Sequence, residues 1–219
     1  MSQPISSEQF FARMDESEDA LFYAVPRKVV HIDDSAIAAV GRLYQRLLPQ
    51  SGIFLDLMSS WRSHLPPELR PARVIGLGLN AEEMAENPQL DEHLVHDLNR
   101  DPRLPFPEDT FDGVVCAVSI QYLTQPIAVF REVRRVLKPG KPFIVTFSNR
   151  CFPSKAIAAW LYSSDEQHLE LVRIYFQESG GWQAITAEDC LPEREKGFAD
   201  PLYGVWAFKA PEDEPEGRF

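Results

Sequence analysis

The chain has 219 residues, the length of one domain with room for an added cap. Hydrophobic residues make up 44% and charged ones 25%, which describes a soluble globular protein and excludes a disordered one. The net charge of −11 repels phosphate backbones, so a nucleic-acid partner is not expected without a local basic patch.

Residues 1–30 show no strong periodicity, apart from an aromatic-rich stretch at Leu21–Arg27 that Pro26 keeps out of a helix interior. A helix then follows, capped by Asp33 or Asp34, with Ile37, Val40, Tyr44 and Leu47 on one stripe and Pro49 as its stop. Strand-like and helical runs alternate after it. Strands are predicted at Ile53–Leu57, Arg73–Leu77, His93–His96, Gly113–Val118 and Pro142–Phe147. Between them lie a short helix at Ala81–Glu86, capped by Asn80 and stopped by Pro88, and a longer one at Pro126–Leu137. Further helices are expected around Lys155–Tyr162 and at Glu166–Glu178, the latter closed by Gly180 and Gly181. Two last strands are expected at Trp182–Ile185 and Leu202–Lys209, and the acidic tail from Pro211 is expected to fray. Such alternation predicts an α/β fold with a parallel, doubly wound sheet. The domain limits expected are an N-terminal helical cap or lid at 1–50, a core at 51–210 and a tail at 211–219.

The longest Lys/Arg cluster, Arg131, Arg134, Arg135 and Lys138, has helical spacing and reads as a solvated helix face. The three cysteines, Cys116, Cys151 and Cys190, are odd in number and far apart. No disulfide framework follows from that count, and no Cys/His spacing suggests a metal. No apolar run approaches the roughly 20 residues that span a bilayer, and residues 1–19 lack the basic start of a signal peptide. A cytoplasmic protein without a membrane partner is expected.

In an open parallel sheet, ligands bind beyond the carboxyl ends of the strands. The segments to inspect are therefore Asp56–Arg62, Gly78–Asn80, Asp97–Asn99 and Val118–Tyr122. An acid closing an apolar strand, as Asp56 does, holds a ligand's ammonium or hydroxyls, or else caps the next helix. The order Asp97-Leu98-Asn99, Leu104-Pro105-Phe106, Phe111-Asp112-Gly113 and Arg135-Val136-Leu137-Lys138-Pro139-Gly140 closely resembles one family. It is similar to the class I S-adenosylmethionine-dependent methyltransferases, of the type 11-like subgroup with D-x-LPF, FD and RVLKPGG motifs. The resemblance covers about residues 50–150 and, weakly, the last strand. It implies a Rossmann-like sheet of seven mostly parallel strands and methyl transfer from S-adenosylmethionine to a small molecule. By the same resemblance Asp56, with Met58, Ser59 and Ser60 after it, neighbours the methionine end of the cofactor. Gly78, Leu79 and Asn80 fall where the ribose hydroxyls are held. Asp97, with Leu98 and Asn99, falls at the adenine amino group, and Val118 and Ser119 complete the set.

Two departures stand out. The family's D-x-G-x-G-x-G turn appears as Asp56–Arg62, with Met58, Ser60 and Arg62 in place of the glycines. The acid usual after strand two is absent; Gly78 stands there, and Asn80 is expected to substitute. A plant and cyanobacterial branch of the family resembles this chain in both respects. It resembles it also in Ser63-His64-Leu65-Pro66 and Phe147-Ser148-Asn149-Arg150.

For the acceptor side, Tyr23, Arg27 and Arg150 are candidate substrate contacts. His31 and Tyr122 are candidate catalytic groups, with His31 as the base if the acceptor is protonated. Residues 20–32 are expected to fold over the pocket, or else to pack the following helix onto the sheet. Two rival functions remain open. The lost glycines motivate a non-catalytic binding protein of the same fold. Gly76-Leu77-Gly78-Leu79-Asn80-Ala81 fits the dinucleotide fingerprint G-x-G-x-x-A and motivates an oxidoreductase.

Overall fold

A computed structural model describes residues 7–195 and 197–211. One sheet of seven strands forms its centre: β1 (Ile53–Leu57), β2 (Arg73–Gly78), β3 (Glu92–Val95), β4 (Gly113–Ala117), β5 (Pro142–Phe147), β6 (Trp182–Asp189) and β7 (Tyr203–Lys209). Their order is β3-β2-β1-β4-β5-β7-β6. The first five run parallel, and β7 is antiparallel to both of its neighbours. The strand order reverses between β1 and β4, and a parallel sheet opens a crevice at such a point.

Both faces of the sheet are covered, which is why β4 and β5 read as unbroken apolar runs. On one face, helix α3 (Asp34–Leu47) buries Val40, Leu43 and Tyr44 against Phe54, Val115 and Ile144. On the other, α5 (Pro126–Val136) and α7 (Asp165–Ser179) bury Phe130, Val133 and Phe176 against Leu55, Val114 and Phe143. The caps are local. Asp33 accepts from the Ala36 amide at 2.9 Å, Ser164 and Gln167 close a capping box, and Gly180 ends α7 at φ 69°.

Of the basic cluster at the end of α5, Arg131 is exposed as expected, but Arg134, Arg135 and Lys138 are half-buried and engaged. Arg135 donates to the carbonyls of Leu104 and Phe106, each at 2.9 Å, and pairs with Glu132. Arg134 reaches the Gly180 carbonyl at 2.6 Å, and Lys138 holds both carboxylate oxygens of Asp112 at 2.9 Å. The forked guanidinium suits two carbonyls at once. The LPF, FD and RVLKPG motifs are thus one hydrogen-bonded unit that shapes the entry to β4 and β5.

The chain before α3 carries α1 (Ser7–Phe11) and α2 (Asp19–Phe22), which the sequence did not signal. Helix α6 is only Ala158–Leu161, shorter than expected. The residues before it pair with the N-terminal segment instead: Arg13 bridges Ile157, and the Ala158 amide donates to the Ala12 carbonyl at 2.8 Å. A buried ionic cluster anchors that pairing. Lys155, with no exposed surface, lies 3.2 Å from Asp15 and 3.3 Å from Asp19, and Asp19 takes Arg13 at 2.7 Å. Strand β6 runs to Asp189 rather than Ile185, past a register shift between Gln183 and Thr186. Of the tail expected from Pro211, residues 212–219 lie outside the described residues. All three cysteines are free. Among the described residues no helix is long and apolar enough to cross a membrane, and no cluster of three metal-ligating side chains occurs.

Candidate functional site

A cavity of about 620 Å³ opens at the carboxyl ends of β1, β2 and β4. That volume falls in the range of about 300–1,000 Å³ typical of small-ligand sites. Every site residue named from the sequence lines it. Their side chains, however, are differently employed.

The segment after β1 is pinned rather than glycine-rich. Met58 takes φ 59°, the left-handed conformation a glycine would adopt without strain. The Ser59 amide donates to the Leu77 carbonyl at 2.8 Å, which draws the loop across the end of β2. Asp56 sits beneath it, 2% exposed, and one of its oxygens accepts from Ser59 Oγ at 2.6 Å and Ser63 Oγ at 2.7 Å. Burial pushes the Asp56 carboxyl up to about 6, against the lowering effect of the two hydroxyls. The Asp56 carboxylate therefore organises the loop while lining the cavity.

Asn80 is engaged within the chain. Its Oδ1 accepts from the Glu83 amide at 3.0 Å, capping α4 (Ala81–Ala85), and its Nδ2 donates to the Tyr23 carbonyl at 2.8 Å. Each end keeps one further valence, a lone pair on Oδ1 and a second N–H on Nδ2. Asn99 is structural: its Nδ2 donates to Asp19 and to the Tyr122 carbonyl, and its Oδ1 accepts from the Thr124 amide. Asp97 uses Oδ1 to accept from the amides of Asn99, at 2.9 Å, and Arg100, at 3.3 Å. Its Oδ2 makes no hydrogen bond among the described residues.

Val118 adopts φ 45°, a strained state for a β-branched residue, at the turn out of β4. Ser119 Oγ donates to the Ala117 carbonyl at 2.9 Å. The Tyr122 hydroxyl accepts from the Phe152 amide at 2.9 Å, and burial pushes the phenol up to about 12. Tyr122 thus lines the cavity with a phenol that stays protonated at neutral pH. Arg150 faces Asp200 at 3.6 Å, so an ion pair already engages it. Among the described residues His31 makes no hydrogen bond; it meets the Phe152 ring edge-on at 5.2 Å, and burial lowers its basicity.

Among the lining residues, Asp19, Glu83 and Phe152 were not singled out from the sequence, and Trp61, Arg62 and His64 entered only as parts of motifs, without a site role. Glu83 accepts from the Arg27 amide at 2.5 Å and from Ser60 Oγ at 2.6 Å. It stands three residues after the Asn80 cap, where its chemistry reads as helix signal. Trp61 Nε1 donates to the Val29 carbonyl at 3.0 Å, and Lys28 pairs with Glu82 and Glu86. Residues 23–29 are thereby strapped onto α4 and the segment after β1.

The dinucleotide fingerprint fails on geometry. It follows the second strand, its helix is five residues long, and the Ser59 carbonyl lies against Gly78 where a pyrophosphate would approach.

Residues 60–145 match the family model described as a methyltransferase domain. The methyltransferase phqN of Penicillium fellutanum is 33% identical over 78 residues, which take in 33% of this chain and 24% of that protein. The chain therefore spans about a quarter of that relative's length. Among solved structures, an S-adenosylmethionine-dependent methyltransferase from Mesorhizobium loti shares 18% identity at a TM-score of 0.54. That likeness covers 78% of this chain and 97% of the other. Phosphoethanolamine N-methyltransferase 2 of Haemonchus contortus, solved with S-adenosyl-L-methionine, shares 14% at a TM-score of 0.57, covering 80% of this chain and 52% of its own. Residues 60–145 are thus similar to a methyltransferase domain, and the chain shares the Rossmann-like fold of those solved methyltransferases.

Proposed function

We propose that this chain transfers the methyl group of S-adenosylmethionine to a small-molecule acceptor in the cavity at the ends of β1, β2 and β4. The observation that carries this reading is the convergence of the domain match at 60–145 on the walls of that one cavity. The residues present fit the cofactor. Asp97 Oδ2 is free to accept from an adenine amino group beside Leu98. Each carboxylate oxygen of Glu83 holds one donor and keeps a lone pair, so Glu83 joins Asn80 as a partner for a ribose diol. Asp56 supplies negative charge for the methionine end.

When bound, S-adenosylmethionine supplies a methyl group already activated on a sulfonium. The chain then needs chiefly to align the acceptor and exclude water. Residues 23–31 form the cap that does so, with Tyr23, Arg27 and Phe152 walling the acceptor end. His31 is neutral and holds an unused lone pair for an acceptor's proton. Calorimetry with S-adenosylhomocysteine tests the reading: a micromolar-range heat supports it, and no heat at millimolar ligand ends it. The pinned, glycine-poor segment favours one alternative, a protein that binds the cofactor without transfer. Binding without turnover over a broad acceptor panel would select that alternative.

A further inference from the structure

The chain is acidic overall, yet three arginines line this cavity. Arg150 has its carboxylate in Asp200, whereas neither Arg27 nor Arg62 makes an ion pair among the described residues. The Arg27 guanidinium lies over the rings of Phe22, at 4.4 Å, and Phe152, at 5.4 Å. One of its terminal nitrogens donates to the Phe22 carbonyl at 2.8 Å; the other, Nη1, is buried and has no partner. A buried donor left unpaired costs about 1–3 kcal/mol, a cost that an incoming acceptor oxygen relieves. Arg62 lies over the Trp61 ring at 3.8 Å and uses one nitrogen on the Trp61 carbonyl at 2.7 Å. Glu83, an acid lining the same cavity, already holds the Arg27 amide and Ser60.

Two imidazoles share the same wall. Neither His31 nor His64 makes a hydrogen bond among the described residues, and His64 is held at φ 57°, where non-glycine residues are rare. Burial lowers both; at His31 the Glu83 carboxylate opposes it and Arg27 adds a smaller repulsion, while Arg62 and His31 add repulsion at His64, which falls to about 4.

We propose that the methyl acceptor is a small organic acid, whose carboxylate is received by Arg27 and Arg62 and whose separate O–H or N–H nucleophile is presented to His31 and His64. The proposal rests on the methyltransferase reading above. The bound carboxylate neutralises the two arginines that repel the imidazoles, so the proton acceptor strengthens when the right ligand arrives. The nucleophile then forms a bond to the methyl carbon as the carbon–sulfur bond breaks. The bond's electron pair stays on sulfur, and the nucleophile's proton passes to an imidazole nitrogen.

Calorimetry on the full chain saturated with S-adenosylhomocysteine tests this, with p-hydroxybenzoate and p-hydroxybenzamide as probes. The acid should bind about tenfold tighter than the amide, and Arg62→Gln and Arg27→Gln should each collapse that preference. S-adenosylhomocysteine affinity close to that of the unaltered chain shows that each variant is folded. Equal binding of acid and amide, binding of neither, or a preference that survives in both variants overturns the proposal while the cofactor still binds. If S-adenosylhomocysteine itself gives no heat, the methyltransferase reading falls, and the proposal falls with it.

Discussion

The carbonyl oxygen of Ser59 occupies the space that a Cβ on Gly78 would need, with Met84 Sδ 3.1 Å away on another side. The glycine-poor segment after β1 and the missing acid at the end of β2 are therefore one structural event. Once the loop crosses β2 through the Ser59–Leu77 hydrogen bond, residue 78 has no room for a side chain. The carboxylate facing the cavity stands instead on α4, at Glu83.

Restoring the family's acid should then harm the protein. Gly78→Asp must displace a backbone carbonyl, and overpacking of this kind costs about 1–3 kcal/mol. Urea unfolding should show that loss, and S-adenosylhomocysteine should bind no better than before. A Gly78→Asp chain of unchanged stability would show that the loop does not cross β2 as described.

Asp56 gives a pH signature whose sign is fixed. Its carboxyl is raised from 3.8 to about 6 in the folded state, so between pH 4 and 6 the folded chain binds a proton that the unfolded chain releases. Stability from this group is fullest below pH 4 and declines as pH rises towards 6, by about 3 kcal/mol at 1.36 kcal/mol per unit. Asp56→Asn carries no such ionisation. The stability difference between the two chains should change with pH across that window and be constant above about pH 7. A flat difference from pH 4 to 7 contradicts the burial of an ionisable carboxyl.

The centre of the sheet was legible because strands such as β4 and β5 are buried on both faces, and an apolar run such as Gly113–Ala117 admits few other readings. The cavity walls were legible for the same reason: a ligand site in this architecture lies where the strands end. The employment of individual side chains was not legible. Asn80 and Asn99 look like ligand contacts in one dimension, but their amides are engaged by Tyr23 and Asp19, 57 and 80 residues away. Lys155 and Asp19 carry no periodic signal at all, since their pairing exists only once the N-terminal segment lies on the stretch before α6. The basic residues of α5 misled for a related reason: helical spacing shows which residues share a face, not what that face meets.

Asp97 now has two roles to separate. Asp97→Ala removes the acceptor for the Asn99 and Arg100 amides, so both cofactor affinity and stability should fall, each by about 1–3 kcal/mol. Asp97→Asn keeps an oxygen for the cap and replaces the other with a donor. It should retain the melting temperature while weakening S-adenosylhomocysteine binding by a similar amount. An Asn variant that binds as tightly as the unaltered chain removes Asp97 from the adenine site.

The N-terminal segment divides into an anchor and a strap, and the division predicts two outcomes. Asp15 and Asp19 pair with a fully buried Lys155, and Asp19 also holds Arg13. Removing one partner of a buried ion pair costs about 3–5 kcal/mol, so Asp19→Ala should unfold at markedly lower urea, and deleting residues 1–32, which also uncovers the stretch before α6, should give an insoluble chain. That deletion therefore cannot isolate a lid. The strap can be loosened without touching the anchor, because some of its links are exposed: Lys28 to Glu82 and Glu86, and Trp61 Nε1 to the Val29 carbonyl. Exposed pairs of this kind contribute at most about 1 kcal/mol each, so Lys28→Ala with Trp61→Phe should leave the melting temperature nearly unchanged. If residues 23–31 cover the bound cofactor, the double variant should release S-adenosylhomocysteine faster in stopped-flow dissociation. If they only pack α3 onto the sheet, the release rate stays the same and the cap is not a lid.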